Sequence, residues 1–273
     1  MSLRLTVRER GNGPAVVLLH GFTGSADAWG ALADRLAECF RVLAFDLPGH
    51  GASPAPARAE DGRLTRLADA LVEQLDVLGV RDAAWLGYSL GGRAALHVAL
   101  AHPDRVRRLV LESASPGIAD PAERRARAAA DARLAGDIER DGLATFVDAW
   151  LAQPLFATQA RLPAEVRARE RTRRLRGSAA GYAAALRAMS VGEQASLWPR
   201  LAEVRAPVLL LAGEEDVKYR QLALAMRARL ADARVALIAG AGHTVHLEQP
   251  RAWLAAVEPF LACDAGLRTA GVA

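Results

Sequence analysis

A serine between two glycines is the first group in this sequence that could carry out covalent or acid–base chemistry. Ser89 follows Gly87 and precedes Gly91 in the sequence Leu-Gly-Tyr-Ser-Leu-Gly-Gly-Arg. An apolar run at 83–86 enters this segment, and a helical pattern of small residues at 94–101 leaves it. The order strand, glycine-flanked serine, helix is typical of a nucleophile elbow, in which a sharp turn exposes the serine hydroxyl. We therefore predict that Ser89 is catalytic.

Two further predicted strands end in the acid and the base that such a serine requires. An apolar run at 207–212 is followed by Asp216, and a second run at 234–239 is followed by His243. The histidine can accept the serine proton, and the carboxylate can orient the histidine. The chain order serine, aspartate, histidine is the order that this strand–turn–helix architecture uses. The sequence therefore predicts a catalytic triad of Ser89, Asp216 and His243.

A glycine turn near the N-terminus predicts the donors that would stabilise a developing negative charge. The apolar run 15–19 is followed by His-Gly-Phe-Thr-Gly at 20–24. Such a turn after a strand can direct a backbone N–H toward the reacting oxygen, and the residue after the nucleophile can direct another. We expect the amides of Phe22 and Leu90 to form this oxyanion hole.

Alternation of strands and helices predicts the scaffold that would bring these groups together. Apolar strands are expected at 15–20, 41–46, 83–87, 107–112, 207–212 and 234–239, after an alternating strand over residues 1–7. Helical patterns are expected at 28–38, 64–78, 90–101, 218–231 and 250–262. This order favours a mostly parallel sheet with helices on both faces and ligands at the carboxyl ends of the strands.

One long segment interrupts the alternation. Residues 117–190 are rich in alanine and arginine and contain no strand-like run. We predict an α/β core formed by residues 1–116 and 191–273, with a helical cap at 117–190 that covers the active site.

Composition argues against several other classes of protein. The chain has 273 residues, a net charge of +4 and 52% hydrophobic residues, enough for one α/β core with an insertion. No nucleic-acid recognition module accompanies the positive charge, and no apolar run is long enough to span a membrane. The start of the chain lacks the pattern of a signal peptide, so we expect a cytoplasmic protein. Cys39 and Cys263 are expected to be buried or incidental thiols.

The sequence also lacks the usual marks of a cofactor or metal site. It contains no phosphate loop and no dinucleotide fingerprint, and its histidines are not spaced as metal ligands. We therefore expect no cofactor and no metal. Nothing in the sequence indicates an oligomeric state.

Several segments resemble enzymes of the α/β-hydrolase fold, and within them the family of 2-succinyl-6-hydroxy-2,4-cyclohexadiene-1-carboxylate synthases of menaquinone biosynthesis. The resemblance covers nearly the full chain. The segments that carry it are 20–25, 45–51, 87–93, 115–117, 153–157, 194–198 and 241–248, together with Trp29, Arg124, Arg127, Trp150 and Arg176.

This resemblance implies a lyase that eliminates pyruvate from 2-succinyl-5-enolpyruvyl-6-hydroxy-3-cyclohexene-1-carboxylate, with the triad as base and an oxyanion hole for the negative charge. The substrate would be a small polycarboxylate, which planar guanidinium groups bind well. The substrate-binding residues that the resemblance implies are Tyr88, Arg93, Arg124, Trp150 and Arg176.

The triad by itself leaves other functions open. The same three groups would serve a carboxylesterase, a lactonase or a carbon–carbon bond hydrolase. A ligand receptor without catalytic activity is a further alternative, which the intact triad disfavours. A comparison of pyruvate release with ester hydrolysis separates these possibilities.

Overall fold

The computed structural model describes residues 3–262, in which seven strands form one sheet. The strand order is β1-β3-β2-β4-β5-β6-β7, with β1 antiparallel to β3 and every other neighbouring pair parallel. The predicted mostly parallel sheet is confirmed. The strands are β1 (Val7–Arg10), β2 (Ala15–Leu19), β3 (Arg41–Phe45), β4 (Ala83–Tyr88), β5 (Val106–Glu112), β6 (Val208–Gly213) and β7 (Ala233–Ile238).

Within residues 3–262, ten α-helices accompany the sheet. Those before the cap segment are α1 (Gly30–Leu36), α2 (Leu64–Val77) and α3 (Leu90–Ala101). The cap segment contains α4 (Pro121–Asp141), α5 (Leu143–Leu151), α6 (Ala164–Leu175) and α7 (Ala179–Met189). The last three are α8 (Val217–Arg227), α9 (Val245–Glu248) and α10 (Pro250–Ala262). None of these helices in the described part of the chain is both long and apolar enough to cross a membrane.

Strand β2 is apolar and buried at every position because helices cover both faces of the sheet. In β2, Val17 and Leu19 belong to one hydrophobic cluster, whereas Val16 and Leu18 belong to another, as expected from the two-residue period of a strand. Residues of α2, α3 and α8 complete the first cluster. Residues of α1 and α10 complete the second. The sheet is therefore fixed between two layers of helices, and the ends of its strands are left to form a site.

The segment between β5 and β6 has a core of its own. Side chains of α4, α5 and α7, among them Ile138, Phe146 and Tyr182, pack into a third hydrophobic cluster. The predicted cap boundaries at 117 and 190 fall in the loops just before α4 and just after α7.

The start of the chain differs from the prediction. The first strand is Val7–Arg10 rather than residues 1–7, of which the structure describes residues 3 onward. The amide of Leu5 donates to the side chain of Gln74, and that of Thr6 donates to Ser53. These donors are therefore used by side chains rather than by a neighbouring strand. Cys39 is free and exposed, so of the two alternatives expected for this thiol it is the incidental one, and Cys263 lies outside the described residues.

Helix α7 of the cap contacts the core where two glycines meet. A Cβ atom added at Gly181 would lie 2.5 Å from the carbonyl oxygen of Gly49, in the loop after β3. Gly49 itself has a φ of +75°, a conformation that glycine adopts without strain. The close approach of the two backbones fixes the distance between α7 and this loop.

We expect Gly181→Ala to lower the thermal midpoint of unfolding, because the new methyl group would collide with the backbone carbonyl of Gly49 and with the hydroxyl of Ser178, the N-cap of α7. Gly136→Ala is the matched control, since a Cβ atom there meets nothing within 4 Å and alanine favours the helix by roughly 0.5–1 kcal/mol. Thermal melts of both variants provide the measurement. Equal midpoints for the two variants would contradict the proposed backbone contact.

Candidate active site

Ser89 lies in the sharp turn that connects β4 to α3. Its backbone has a φ of 51° and a ψ of −107°, outside the conformations that a serine readily adopts. The two flanking glycines make this turn possible. A Cβ atom at Gly91 would lie 2.1 Å from the carbonyl oxygen of Leu19, and one at Gly87 would lie 2.3 Å from that of Gly91. The sharp, glycine-flanked turn that the sequence predicts at Ser89 is therefore present in the structure.

The predicted triad residues lie together at the carboxyl ends of their strands. The Nδ1 atom of His243 is 2.7 Å from the Oδ2 atom of Asp216, and its Nε2 atom is 3.3 Å from the Oγ atom of Ser89. With Nδ1 donating to the carboxylate, Nε2 is free to accept the serine proton. Both His243 and Asp216 are buried. This geometry suits a serine that loses its proton to histidine.

Asp216 also begins the next helix. It is the N-cap residue of α8, and its Oδ1 atom accepts a hydrogen bond from the amide of Tyr219. The Tyr219 ring in turn packs against the His243 ring, with 4.5 Å between the ring centroids. The first turn of α8 therefore holds both the acid and the imidazole in place.

Both predicted oxyanion-hole residues line the same cavity as Ser89. Leu90 is the first residue of α3, where helical amides have no intrahelical acceptor. Phe22 lies in the loop after β2. Within residues 3–262, neither backbone amide donates a hydrogen bond to a protein acceptor. Two free N–H groups beside the nucleophile are what an oxyanion hole requires.

Two buried histidines hold the loop that carries Phe22. The Nε2 atom of His20 accepts a hydrogen bond from the amide of Leu47, and its Nδ1 atom is 2.7 Å from the carbonyl oxygen of Gly21. The Nε2 atom of His50 accepts from the amide of Thr23. Burial lowers the pKa of His20 to about 4 and that of His50 to about 3. Both rings are therefore neutral at pH 7, because a ring nitrogen can accept a hydrogen bond only when it carries no proton.

The cap also contacts this loop. The ring of Phe22 packs edge-on against Phe146, Trp150 and Tyr182 of the cap helices. The hydroxyl of Tyr182 donates to the carbonyl oxygen of Thr23, which links α7 directly to the turn of the oxyanion hole. The position of the cap therefore helps to fix the Phe22 amide.

A cavity of about 780 Å³ lies between the core and the cap, with Ser89 and His243 in its wall. This volume is within the usual range for a small-molecule site. Aromatic side chains of the core and of the cap form part of the wall, among them Phe22, Trp150 and Tyr219. In the part of the chain that the structure describes, no three histidine, cysteine, aspartate or glutamate residues are grouped as metal ligands.

Three of the five predicted substrate-binding residues line this cavity: Tyr88, Arg93 and Trp150. The Tyr88 hydroxyl shares a hydrogen bond with Thr244, 2.8 Å away, so this side chain offers the cavity its ring. Burial raises the pKa of the Tyr88 hydroxyl well above its usual range, which keeps the group protonated.

The other two predicted residues, Arg124 and Arg176, are not among the residues that line the cavity, so the geometry does not support a substrate contact for either. On α4, Arg127 lines the cavity instead, because the face that includes Glu123, Arg127 and Leu134 is the one that turns inward. Arg176 caps the C-terminal end of α6 and is exposed, so its guanidinium faces solvent.

Among the polar side chains of the cavity wall to which the sequence analysis assigned no role are Arg127, Lys218 and Tyr219. Lys218 and Tyr219 follow Asp216 of the predicted triad by two and three residues. A signal for them existed, since the residues just after a strand end in this architecture face the site.

The comparisons with known proteins agree with this geometry. The family described as alpha/beta hydrolase fold matches residues 14–250. The chain belongs to the α/β-hydrolase fold family. Within it, the chain is 42% identical over 247 residues to a putative 2-succinyl-6-hydroxy-2,4-cyclohexadiene-1-carboxylate synthase of Bacillus subtilis, which covers 90% of each protein. It therefore belongs with that group of synthases.

Two solved structures are similar along nearly the whole chain. MenH from S. aureus is 32% identical with a TM-score of 0.89, covering 94% of this chain and 97% of the other. The enol-lactonase from Burkholderia xenovorans LB400 is 25% identical with a TM-score of 0.82, covering 94% and 96%. The predicted fold and the predicted family are confirmed.

The buried histidines predict a loss of stability in mild acid. Burial also lowers the pKa of His97 to about 4, against an ordinary value of 6.5 for all three rings. The unfolded chain therefore binds more protons than the folded chain between about pH 6.5 and 4. We expect the free energy of unfolding to fall as the pH is lowered through that window, as measured by urea titration. The slope should be smaller in His50→Gln, and an unchanged slope would contradict the role assigned to His50.

Proposed function

We propose that this protein eliminates pyruvate from 2-succinyl-5-enolpyruvyl-6-hydroxy-3-cyclohexene-1-carboxylate and so forms 2-succinyl-6-hydroxy-2,4-cyclohexadiene-1-carboxylate for menaquinone biosynthesis. The observation that carries this proposal is Arg93, a cation that faces the cavity beside the triad without a carboxylate partner. The 42% identity to a putative synthase of that name supports it. A cytoplasmic location stays a prediction.

Arg93 stands one helical turn after Ser89 on α3. Its guanidinium donates to two neutral groups, the side-chain oxygen of Gln194 at 3.0 Å and the carbonyl oxygen of Met189 at 2.9 Å. Burial lowers the pKa of Arg93 to about 10, so the group remains charged at pH 7. Within residues 3–262, no carboxylate lies within ion-pair distance of it. A desolvated cation of this kind favours an anionic ligand.

Arg127 provides a second guanidinium in the wall. Its Nε atom donates to Asp131, which also accepts a hydrogen bond from Ser190, so the base of the side chain is fixed. The two terminal nitrogens of the guanidinium are left for a ligand. Arg93 and Arg127 together give the cavity two planar groups suited to carboxylates. This arrangement fits a polycarboxylate better than a neutral ester.

The bonds that change define what the site must do. Loss of the ring proton beside the succinyl ketone would place negative charge on the ketone oxygen. The ring double bond would then shift, and the carbon–oxygen bond to the enolpyruvyl group would break. The departing group would leave as the enolate of pyruvate, which takes up a proton. The reaction therefore needs a base and a site for an oxyanion, and it needs no acyl-enzyme.

The triad residues would supply these functions. The Ser89 oxygen, hydrogen-bonded to His243, would take the ring proton and pass a proton to the Nε2 atom of the imidazole. Asp216 would keep His243 in the tautomer that accepts at Nε2 and would favour the imidazolium that forms. The amides of Phe22 and Leu90 would donate to the ketone oxygen as its charge grows. The imidazolium could then return the proton to the departing enolate.

Hydrolysis is the second candidate function. The similarity to an enol-lactonase, with a TM-score of 0.82, favours it because the same triad and oxyanion hole would serve an acyl-enzyme mechanism. The cation in the cavity distinguishes the two candidates. A neutral ester would leave Arg93 without an anionic partner, and unpaired buried groups discriminate strongly against such substrates.

We expect purified protein to release pyruvate from the enolpyruvyl substrate with a far higher kcat/KM than it shows for 4-nitrophenyl acetate. Arg93→Met should lower kcat/KM for pyruvate release by about 10- to 100-fold, because a charge-assisted contact is lost. Arg133→Met, which removes an exposed arginine of α4 outside the cavity, is the matched control and should change little. If the simple ester is the better substrate, the hydrolase proposal replaces the first one.

Ser89→Ala and His243→Ala should each lower kcat for pyruvate release by about 10³ or more, because either change removes the proton acceptor. The double variant should be little slower than either single variant, since the two groups act as a unit. Steady-state kinetics of the three variants give the measurement, with thermal melts to verify folding. Multiplicative losses in the double variant would show that the two residues act independently.

A further inference from the structure

Lys218 is the single lysine of a chain whose lysines and arginines together number 35. It lies in the first turn of α8, two residues after the catalytic Asp216. Its exposed side chain contributes to the wall of the active-site cavity. A compact ammonium group therefore stands where the cavity meets solvent.

Most of the other carboxylates in the cavity wall already have hydrogen-bond partners. Asp120 accepts hydrogen bonds from two amides at the start of α4, and Asp131 is held by Arg127 and Ser190. Glu123 is the other carboxylate of the wall outside the triad. Across residues 3–262, no carboxylate lies within ion-pair distance of the Lys218 ammonium. The ammonium is therefore available to an anion in the cavity.

The position of Lys218 is coupled to that of the catalytic base. Its ammonium lies 5.8 Å from the centroid of the Tyr219 ring, and the Tyr219 ring packs against His243. Asp216, which binds His243, also caps the helix that carries Lys218. One aromatic ring thus separates the ammonium from the imidazole, so an anion held by Lys218 is placed at a short distance from the reacting groups.

We propose that Lys218 binds one carboxylate of the substrate at the mouth of the cavity, as a third cationic contact beside Arg93 and Arg127. This inference rests on the proposed function and extends it to the residue that positions the outer end of the substrate. An ammonium on a flexible stem is suited to this place, because it can follow a carboxylate that enters and leaves through solvent. Arg93, fixed by two hydrogen bonds, serves the inner end.

Kinetics of pyruvate release test the proposal first. Lys218→Met should raise KM roughly tenfold with little change in kcat, because the lost contact binds substrate without taking part in proton transfer. Lys218→Arg should retain most of the affinity, since it keeps the charge. A KM for Lys218→Met within twofold of the unmodified protein would overturn the proposal.

The Glu123→Gln variant distinguishes two roles for Lys218: binding of the substrate, or an ion pair with Glu123 across the mouth of the cavity. If Lys218 binds substrate, loss of the Glu123 charge should leave KM unchanged or lower it, because a competing carboxylate is removed. If Lys218 instead closes the mouth by pairing with Glu123, Glu123→Gln should raise KM as Lys218→Met does. That second result would overturn the proposal.

Chemical labelling tests the same contact without turnover. Because Lys218 is the only lysine, acetic anhydride can modify this amine and the α-amino group, which serves as an internal control. We expect tricarballylate to slow acetylation of Lys218 several-fold, succinate to slow it less, and neither to affect the α-amino group. Protection by neither acid would overturn the proposal. Protection without pyruvate release would retain the anion site and reject the proposed reaction.

Discussion

The strained backbone of Ser89 is the constraint on which the rest of the site depends. A positive φ at a serine costs on the order of 1–3 kcal/mol, so the surrounding structure has to impose it. The glycines on either side allow the neighbouring backbones to approach closely enough to do so. The amide of Ser89 also donates to the carbonyl oxygen of Glu112 at the end of β5. Parallel strands on both sides of β4 therefore fix the turn that exposes Ser89.

Glu112 connects this turn to the rest of the triad. Its carboxylate is completely buried and accepts hydrogen bonds from the backbone and ring of His246 in α9 and from the indole of Trp253 in α10. Its backbone holds Ser89, and its side chain holds the helix that follows His243. Glu112 therefore links the turn at Ser89 to the helices that follow His243. The cost of burying this carboxylate is offset because its partners are hydrogen-bond donors at close range.

The cap adds charged side chains to the cavity and encloses it, whereas the core by itself could support several different reactions. The triad and the amides of Phe22 and Leu90 can stabilise an acyl transfer as well as a proton abstraction. The cap supplies Arg127 and the aromatic side chains around Phe22, and its following loop holds Gln194 against Arg93. The reaction that we propose therefore depends on the combination of both parts: the core provides base and oxyanion hole, and the cavity between them provides cations for carboxylates.

The sequence by itself determined the sheet, the turn at Ser89 and the positions of the predicted triad residues at strand ends, because each depends on a local pattern. Six strands and the turn at Ser89 could be predicted from apolar runs and glycine spacing, and the parallel order then brought Asp216 and His243 to the same edge. The first strand was misplaced because the amides of Leu5 and Thr6 are satisfied by distant side chains.

Only the tertiary structure decided which arginines face the cavity. The face of α4 that turns inward is set by its packing against α7, which selects Arg127 over Arg124, and α6 ends with Arg176 in solvent. In a helix with arginines at neighbouring positions, composition cannot identify the inward face, because that depends on contacts between segments far apart in the chain.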